Sequence, residues 1–253
     1  QSGVIREFSL QDLFNTAKVF SHCPIPNGNR VAIVTNSGGP GIMATDAVCE
    51  HGMEIAHLSD QTKEALRSFL PAAASVKNPV DMIASAPLEH YKKTLETVLA
   101  DDGVDMVVVI YLPFLGLKDI DVAKAVMEIR AAHPDKPIVG VFMTKNEFFA
   151  HLSETEVNVP FFMFAEQAVE GLARLNQQRL WRERTDTPAP RYSVDTETVE
   201  AVFKQAAADN RVQLTTGESL QVLAAYGVRV CRDGEAKDAD EAVALANKIG
   251  YPV

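Results

Sequence analysis

The sharpest chemical feature of the chain is the turn Ser37-Gly38-Gly39-Pro40-Gly41, which follows the apolar run Val31-Ala32-Ile33-Val34-Thr35-Asn36 and leads into a helical stretch at Ile42. Glycine lets backbone amides approach a ligand with no Cβ in the way, and the first amides of a helix have no intrahelical acceptor. With the positive end of the helix dipole these amides make an anion site. Asn36, Ser37, Gly38, Gly39 and Gly41 are therefore the candidate phosphate-binding residues. Pro40 fits the first helical turn, where a missing N–H costs nothing. The turn also ends a strand on the side where open α/β sheets bind ligands. It lacks the Gly-Lys-Ser/Thr ending of a Walker loop and the Gly-x-Gly-x-x-Gly spacing of a dinucleotide fingerprint, so a tight turn without a ligand is the competing reading.

A second constellation is Ser75-Val76-Lys77-Asn78-Pro79-Val80-Asp81-Met82. Pro79 biases Asn78 towards an extended backbone, which makes Asn78 and Asp81 candidates for the rim of a site. An ordinary Asx-type turn is the plainer account. His22, His51, His57, His90, His133 and His151 show no His-Glu-x-x-His pair and no other metal-ligand spacing. No Gly-x-Ser-x-Gly elbow is present. On this reading the chain carries no catalytic residue and no metal ligand of its own.

The elements that must position these residues alternate between short β-rich runs and helical stretches, the pattern of a parallel sheet covered by helices on both faces. Strands are expected at Val31–Thr35, Glu54–Leu58, Asp105–Tyr111, Pro137–Phe142 and Pro160–Phe164, a doubly wound α/β unit of about five strands. Apolar residues at helical spacing mark the packing faces: Ile42, Ala47 and Val48, then Leu95, Val98 and Leu99, then Val122, Val126 and Ile129. Ser9 followed by Asp12 predicts a lead-in helix over 10–21, ended by Pro24, Pro26 and Gly28. A long helix from Glu166 to Arg184 precedes Asp186-Thr187-Pro188-Ala189-Pro190, a proline-containing linker. Beyond it the pattern predicts helices near Thr196–Asn210, Thr216–Tyr226 and Ala239–Ile249, with a short strand at Val228–Cys231. About 60 residues of this kind do not bury a complete core. The expected boundaries are 1–28 for the lead-in, 29–185 for the α/β domain, 186–195 for the linker and 196–253 for an incomplete second domain.

The chain has 253 residues, 47% of them hydrophobic, and a net charge of -10, which disfavours nucleic acid and anionic membranes as partners. No apolar run approaches the roughly 18–20 residues of a membrane-spanning helix, and residues 1–20 lack a signal peptide, so a cytoplasmic location is expected. Cys23, Cys49 and Cys231 are odd in number and widely spaced, and are read as small buried apolar residues. The absence of a starting Met and the break at Tyr251-Pro252-Val253, where a new strand begins, are expected of an excised piece.

Taken together, Gln1-Ser2-Gly3-Val4-Ile5-Arg6, the segment Arg30 to Gly41, Asn78-Pro79-Val80-Asp81, Leu223-Ala224-Ala225-Tyr226-Gly227 and Ile249-Gly250-Tyr251-Pro252-Val253 resemble, in order, the NDP-forming acyl-CoA synthetases, relatives of succinyl-CoA synthetase. The resemblance implies a flavodoxin-like ligase-CoA domain followed by the start of an α+β ATP-grasp domain. It implies an acid–thiol ligase that interconverts acyl-CoA, ADP and phosphate with carboxylic acid, CoA and ATP through a phosphohistidine. The histidine is expected upstream of Gln1; Ser21-His22-Cys23 lacks the Thr-Gly continuation of the family's histidine loop. The role left to this chain is a helix N-terminus that cradles the phosphoryl group. CoA, ATP or ADP and Mg2+ are expected for the full enzyme and none for the chain alone, whose isolated form is expected to be inactive. The implied partners are upstream CoA-binding and flavodoxin-like domains and a downstream ATP-grasp domain, in a homo-oligomer. An alternative is the synthetase-like regulatory region of a protein acetyltransferase fusion, against which the intact Ser37–Gly41 turn counts. A third reading is a flavodoxin-like module that binds another subunit and no phosphate.

Overall fold

The computed structural model describes residues 3–114, 116–153, 156–185 and 192–252, and the chain divides into two compact units, Gln1–Thr185 and Asp186–Val253. The expected linker Asp186–Pro190 lies outside the described residues, as do Gln1, Ser2 and Val253.

The first unit is built on parallel strands: β1 (Arg30–Thr35), β2 (Glu54–Ile55), β3 (Val80–Asp81), β4 (Met106–Tyr111), β5 (Ile138–Phe142) and β6 (Phe161–Phe162). They run in the order β2-β1-β4-β5-β6, with β3 also paired to β1. Helices α1 (Leu10–His22), α2 (Gly38–Glu50), α3 (Asp60–Phe69), α4 (Leu88–Leu99), α5 (Asp119–Ala132), α6 (Asn146–Ser153) and α7 (Ala165–Arg182) cover the sheet. The central strands are buried on both faces because their residues alternate between two apolar clusters. Ala32, Val34, Val107, Val109 and Tyr111 point into the cluster made with α3, α4, α5 and α6. Val31, Ile33, Met106, Val108 and Ile110 point into the one made with α1, α2 and α7. The helices that follow β1 and β4, α2 and α5, thus lie on opposite faces, which opens a crevice between the carboxyl ends of these two strands.

The strand β3 was not expected. Its two residues pair with the end of β1, Val34 with Val80 and Thr35 with Asp81, while β2 pairs with the beginning, Arg30 with Glu54 and Val31 with Ile55. One margin of the sheet is therefore two short strands end to end. Asn78 fills the interruption: its Oδ1 accepts from the Ile33 amide (2.9 Å), and its Nδ2 donates to the Val31 and Ala56 carbonyls (2.8 and 3.0 Å). A side chain here supplies the hydrogen bonds that a continuous strand would give from its backbone.

Both ends of β1 are tied to β4. Arg30 donates from Nε and Nη2 to the Asp105 carboxylate, at 2.8 Å each, and from its backbone amide at 2.9 Å. After α4, Asp101 accepts from the Ser59 and Gly103 amides, both at 2.8 Å. Burial acts to raise the Asp101 pKa, but hydrogen bonds from Thr62, Ser59 and Gly103 outweigh it and bring it down to about 2.

In the second unit α8 (Thr196–Ala208), α9 (Thr216–Ala225) and α10 (Ala239–Ile249) form at the expected places. A reciprocal capping box between Thr215 and Glu218 starts α9, and Gly227, at φ 77°, follows its end. The strand expected at Val228–Cys231 is not one: these residues pair with no strand. A strand needs a neighbour to take its amides and carbonyls, and none stands beside it among the described residues.

Three further expectations require correction. Ile42 does not pack inward but is 62% exposed, because the buried face of α2 is Gly41, Ala44, Ala47 and Val48. Cys49 falls about 100° around the helix from Val48 and is exposed, as is Cys231 in an extended segment. Cys23 comes nearest to the buried reading but is half-buried: its Sγ donates to the Ile138 carbonyl, and desolvation pushes its thiol up to about 12.

Candidate functional site

The glycine turn stands where β1 delivers it, at the carboxyl edge of the sheet. The backbone just before the turn is locked. The side chain of Asn36, buried at 3% exposure, crosses the crevice to the loop after β4, with Nδ2 donating to the Leu112 carbonyl (2.8 Å) and Oδ1 accepting from the Leu112 amide (2.9 Å). Asn36 thus positions the turn, and its polar atoms are engaged by the protein. Thr35 Oγ1 accepts from the Ser37 amide (2.9 Å) and donates to the Ser37 carbonyl (2.8 Å). The Gly41 amide bonds back to the Ser37 carbonyl at 3.3 Å.

The five sequence candidates therefore divide. The Ser37 and Gly41 amides are engaged internally, whereas those of Gly38 and Gly39 make no hydrogen bond among the described residues, and both glycines are exposed. Ser37 is the N-cap of α2, yet its hydroxyl makes no capping bond. An N-cap serine normally contributes about 1 kcal/mol by capping, so this one holds its hydroxyl away from its own helix. Two amides and one hydroxyl are left without a hydrogen bond among the described residues at the positive end of α2.

The glycines are not interchangeable. A Cβ at Gly41 would stand 3.2 Å from Thr35 Cγ2 and 3.6 Å from Pro79 Cβ, so packing requires the glycine. At Gly38 it would meet Asp81 Oδ2 at 3.2 Å, which places this carboxylate beside the turn. At Gly39 it would meet nothing within 4 Å among the described residues, and the residue does not have a left-handed backbone. Neither packing nor conformation calls for glycine at 39.

Of the two expected rim residues, Asp81 reaches the site and Asn78 does not, since its polar atoms bond the sheet. Asp81 Oδ1 accepts from the Ile83 amide (2.9 Å), and Ile83 has a φ of 65°, a conformation rare for a β-branched residue. Behind Asp81 the fully buried Tyr91 hydroxyl has no hydrogen-bond partner among the described residues, and burial pushes its pKa well above the ordinary value. Sequence reasoning missed the exposed apolar side chains at this edge: Met43, beside the misassigned Ile42 in the second turn of α2, and Leu112 and Phe114 after β4. Leu112 and Phe114 carried one signal, their position just after the end of β4. Among the described residues no three His, Cys, Asp or Glu side chains gather to hold a metal ion, and no helix is long and apolar enough to cross a membrane.

Comparison with known proteins agrees with this architecture. Residues 31–172 match the family model of the Ligase-CoA domain, and residues 205–253 match that of an ATP-grasp domain. The alpha subunit of the ADP-forming acetate–CoA ligase II of Pyrococcus furiosus is 40% identical over 146 residues, 56% of this chain and 32% of that protein. The ADP-forming 4-hydroxybutyrate–CoA ligase of Nitrosopumilus maritimus is 29% identical over 258 residues, 100% of this chain and 36% of that protein. The crystal structure of a Pyrococcus horikoshii protein superposes with a TM-score of 0.65 at 37% identity, over 70% of this chain and 42% of that one. The chain spans about a third of the length of these two ligases. With the sheet order, the glycine turn and a match that covers most of the first unit, the chain belongs to the Ligase-CoA domain family of the NDP-forming acyl-CoA synthetases.

Proposed function

We propose that this chain works within an ADP-forming acid–CoA ligase, which converts acyl-CoA, ADP and phosphate reversibly to carboxylic acid, CoA and ATP, and that its part is to hold the phosphoryl group during transfer. The observation that carries this reading is the set of outward groups at the start of α2: the Gly38 and Gly39 amides and the Ser37 hydroxyl, beside a glycine that the fold itself does not need. A phosphorylated histidine brings about two negative charges. Fixed amides at a helix start stabilise such charge with no reorganisation at the moment of transfer.

The histidine is supplied by a neighbouring domain, and the exposed Ile42, Met43, Leu112 and Phe114 border the cradle as a surface for that domain to cover. The CoA-binding and flavodoxin-like domains upstream and the rest of the ATP-grasp domain are the expected partners, in an oligomeric enzyme. A divalent cation on the nucleotide would neutralise phosphate charge, and no residue described here is assigned to it. The Asn36 bridge keeps the turn fixed against β4, so that the two amides meet the incoming group already oriented.

The test is release of CoA from acyl-CoA, dependent on ADP and phosphate, by the complete polypeptide or assembly that contains this chain. Activity in the wild type and its loss in Gly39→Val, with the fold retained, is the expected result. Full activity in Gly39→Val would overturn the assignment.

A further inference from the structure

A cavity of about 530 Å3 lies at the same edge of the sheet, one strand further on, between the loops that follow β4 and β5. This volume falls within the roughly 300–1,000 Å3 of small-molecule sites. Its walls are Tyr111, Pro113, Leu117 and Ile120 on one side and Met143 on the other, with Lys118, Asp119, Thr144 and Lys145 as its polar groups. The Asp119 carboxylate is engaged: Oδ1 accepts from the Ile120 amide and Oδ2 from the Thr144 hydroxyl, both at 2.8 Å. These donors are neutral, so the charge of Asp119 stays. Lys118 and Lys145 are exposed and form no ion pair among the described residues. Two ammonium groups and one carboxylate leave a single positive charge uncompensated, in a chain whose net charge is -10.

We propose that this cavity binds a short-chain monocarboxylate, its head group drawn by Lys118 and Lys145 and its hydrocarbon body laid on Leu117, Ile120 and Met143. One surplus positive charge matches one carboxylate. A phosphate dianion would be left with a negative charge facing Asp119, at a site with no arginine fork to hold it. The apolar walls remove a few methylenes from water, which favours a hydrocarbon body over a bare anion. The choice of a carboxylic acid, the product class of the reaction proposed above, rests on that reading; the cavity and its charge do not.

The experiment is an amide-shift titration of the 253-residue chain with butyrate, with butyramide as the uncharged control and with inorganic phosphate. Butyrate is expected to move the amides of 118–120 and 143–145 saturably, butyramide to leave them in place, and Lys118→Ala/Lys145→Ala to weaken the response roughly tenfold, about 1.4 kcal/mol. Unfolding in urea verifies that the double variant still folds. Equal responses to butyrate and butyramide, a preference for phosphate at these amides, or no response overturns the proposal. The cradle is read separately at the amides of Gly38 and Gly39. A butyrate response there alone refutes the cavity, whereas a cavity response without any phosphate response at Gly38 and Gly39 refutes the cradle and leaves the cavity standing.

Discussion

Replacing Gly39 by valine separates a ligand site from a packing requirement. A Cβ at this position meets no atom within 4 Å, and the backbone is one that any L-residue adopts. In a first helical turn, glycine to valine exchanges a poor helix former for a moderate one, a stability change within about 0.5 kcal/mol. The effect on an anion is much larger. In an α-helix each Cα–Cβ bond tilts towards the N-terminus, so the new methyl groups enter the space in front of α2 where the two unpartnered amides point. Loss of one hydrogen bond to a charged group costs about 1.5–3 kcal/mol, a weakening of roughly ten- to hundredfold. Phosphate titration followed at the Gly38 and residue 39 amides, together with urea unfolding, measures both quantities. Gly41→Ala is the contrast: its Cβ would press at 3.2 Å on Thr35, which its two bonds to Ser37 hold in place, so an overpacking cost of about 1–3 kcal/mol exceeds the roughly 0.5–1 kcal/mol gained by removing a helical glycine. If Gly39→Val lost as much stability as Gly41→Ala, or bound phosphate as wild type does, glycine at 39 would not be there for a ligand.

Two more outcomes follow from the hydrogen bonds that hold the sheet. Asn78→Ala strands the Ile33 amide and the Ala56 carbonyl and leaves the Val31 carbonyl only its bond from the Ala56 amide, and is expected to destabilise the first unit by about 2–4 kcal/mol in urea unfolding; a loss below about 0.5 kcal/mol would deny Asn78 its part in the ladder. Asp101, with its pKa lowered to about 2 in the fold, binds a proton less readily there than in the unfolded chain. The stability it contributes is therefore complete above about pH 4 and disappears as the pH falls towards 2, so Asp101→Asn should cost roughly 2 kcal/mol at pH 7 and little at pH 2. A gap between variant and wild type that is independent of pH would refute this account.

The layers of this fold were legible because long apolar runs and helical spacing carry them. The lead-in helix expected over 10–21 and the strands β1, β4 and β5 stand within a residue or two of their expected ends, and α4 and α5 bury the apolar residues that helical spacing marked. β3 was not legible: two residues give no period, and their pairing depends on the distant end of β1. Ile42 and Cys49 were misplaced for one reason. A helix with apolar residues on several sides does not declare which side is buried, and here small residues, Gly41, Ala44 and Ala47, bring α2 close to the sheet. At the site, the glycine turn and its strand were legible as a unit. What the sequence hid was the division of labour among similar groups. Which amides are engaged depends on Thr35 Oγ1, and the fixed position of the turn depends on a bond from Asn36 to Leu112, 76 residues away.

The interrupted margin beside β1 also governs what the sheet can do to other molecules. Among the described residues an incoming strand finds on that side only the two residues of β2 and the two of β3, kept apart by Asn78 and with Asp81 already bridged by Ser75, and on the far side only Phe161 and Phe162 of β6. Neither border offers a run long enough for a foreign strand to zip onto, so a sheet with a strongly apolar centre is shielded from growing into aggregates by the brevity of its own outermost strands.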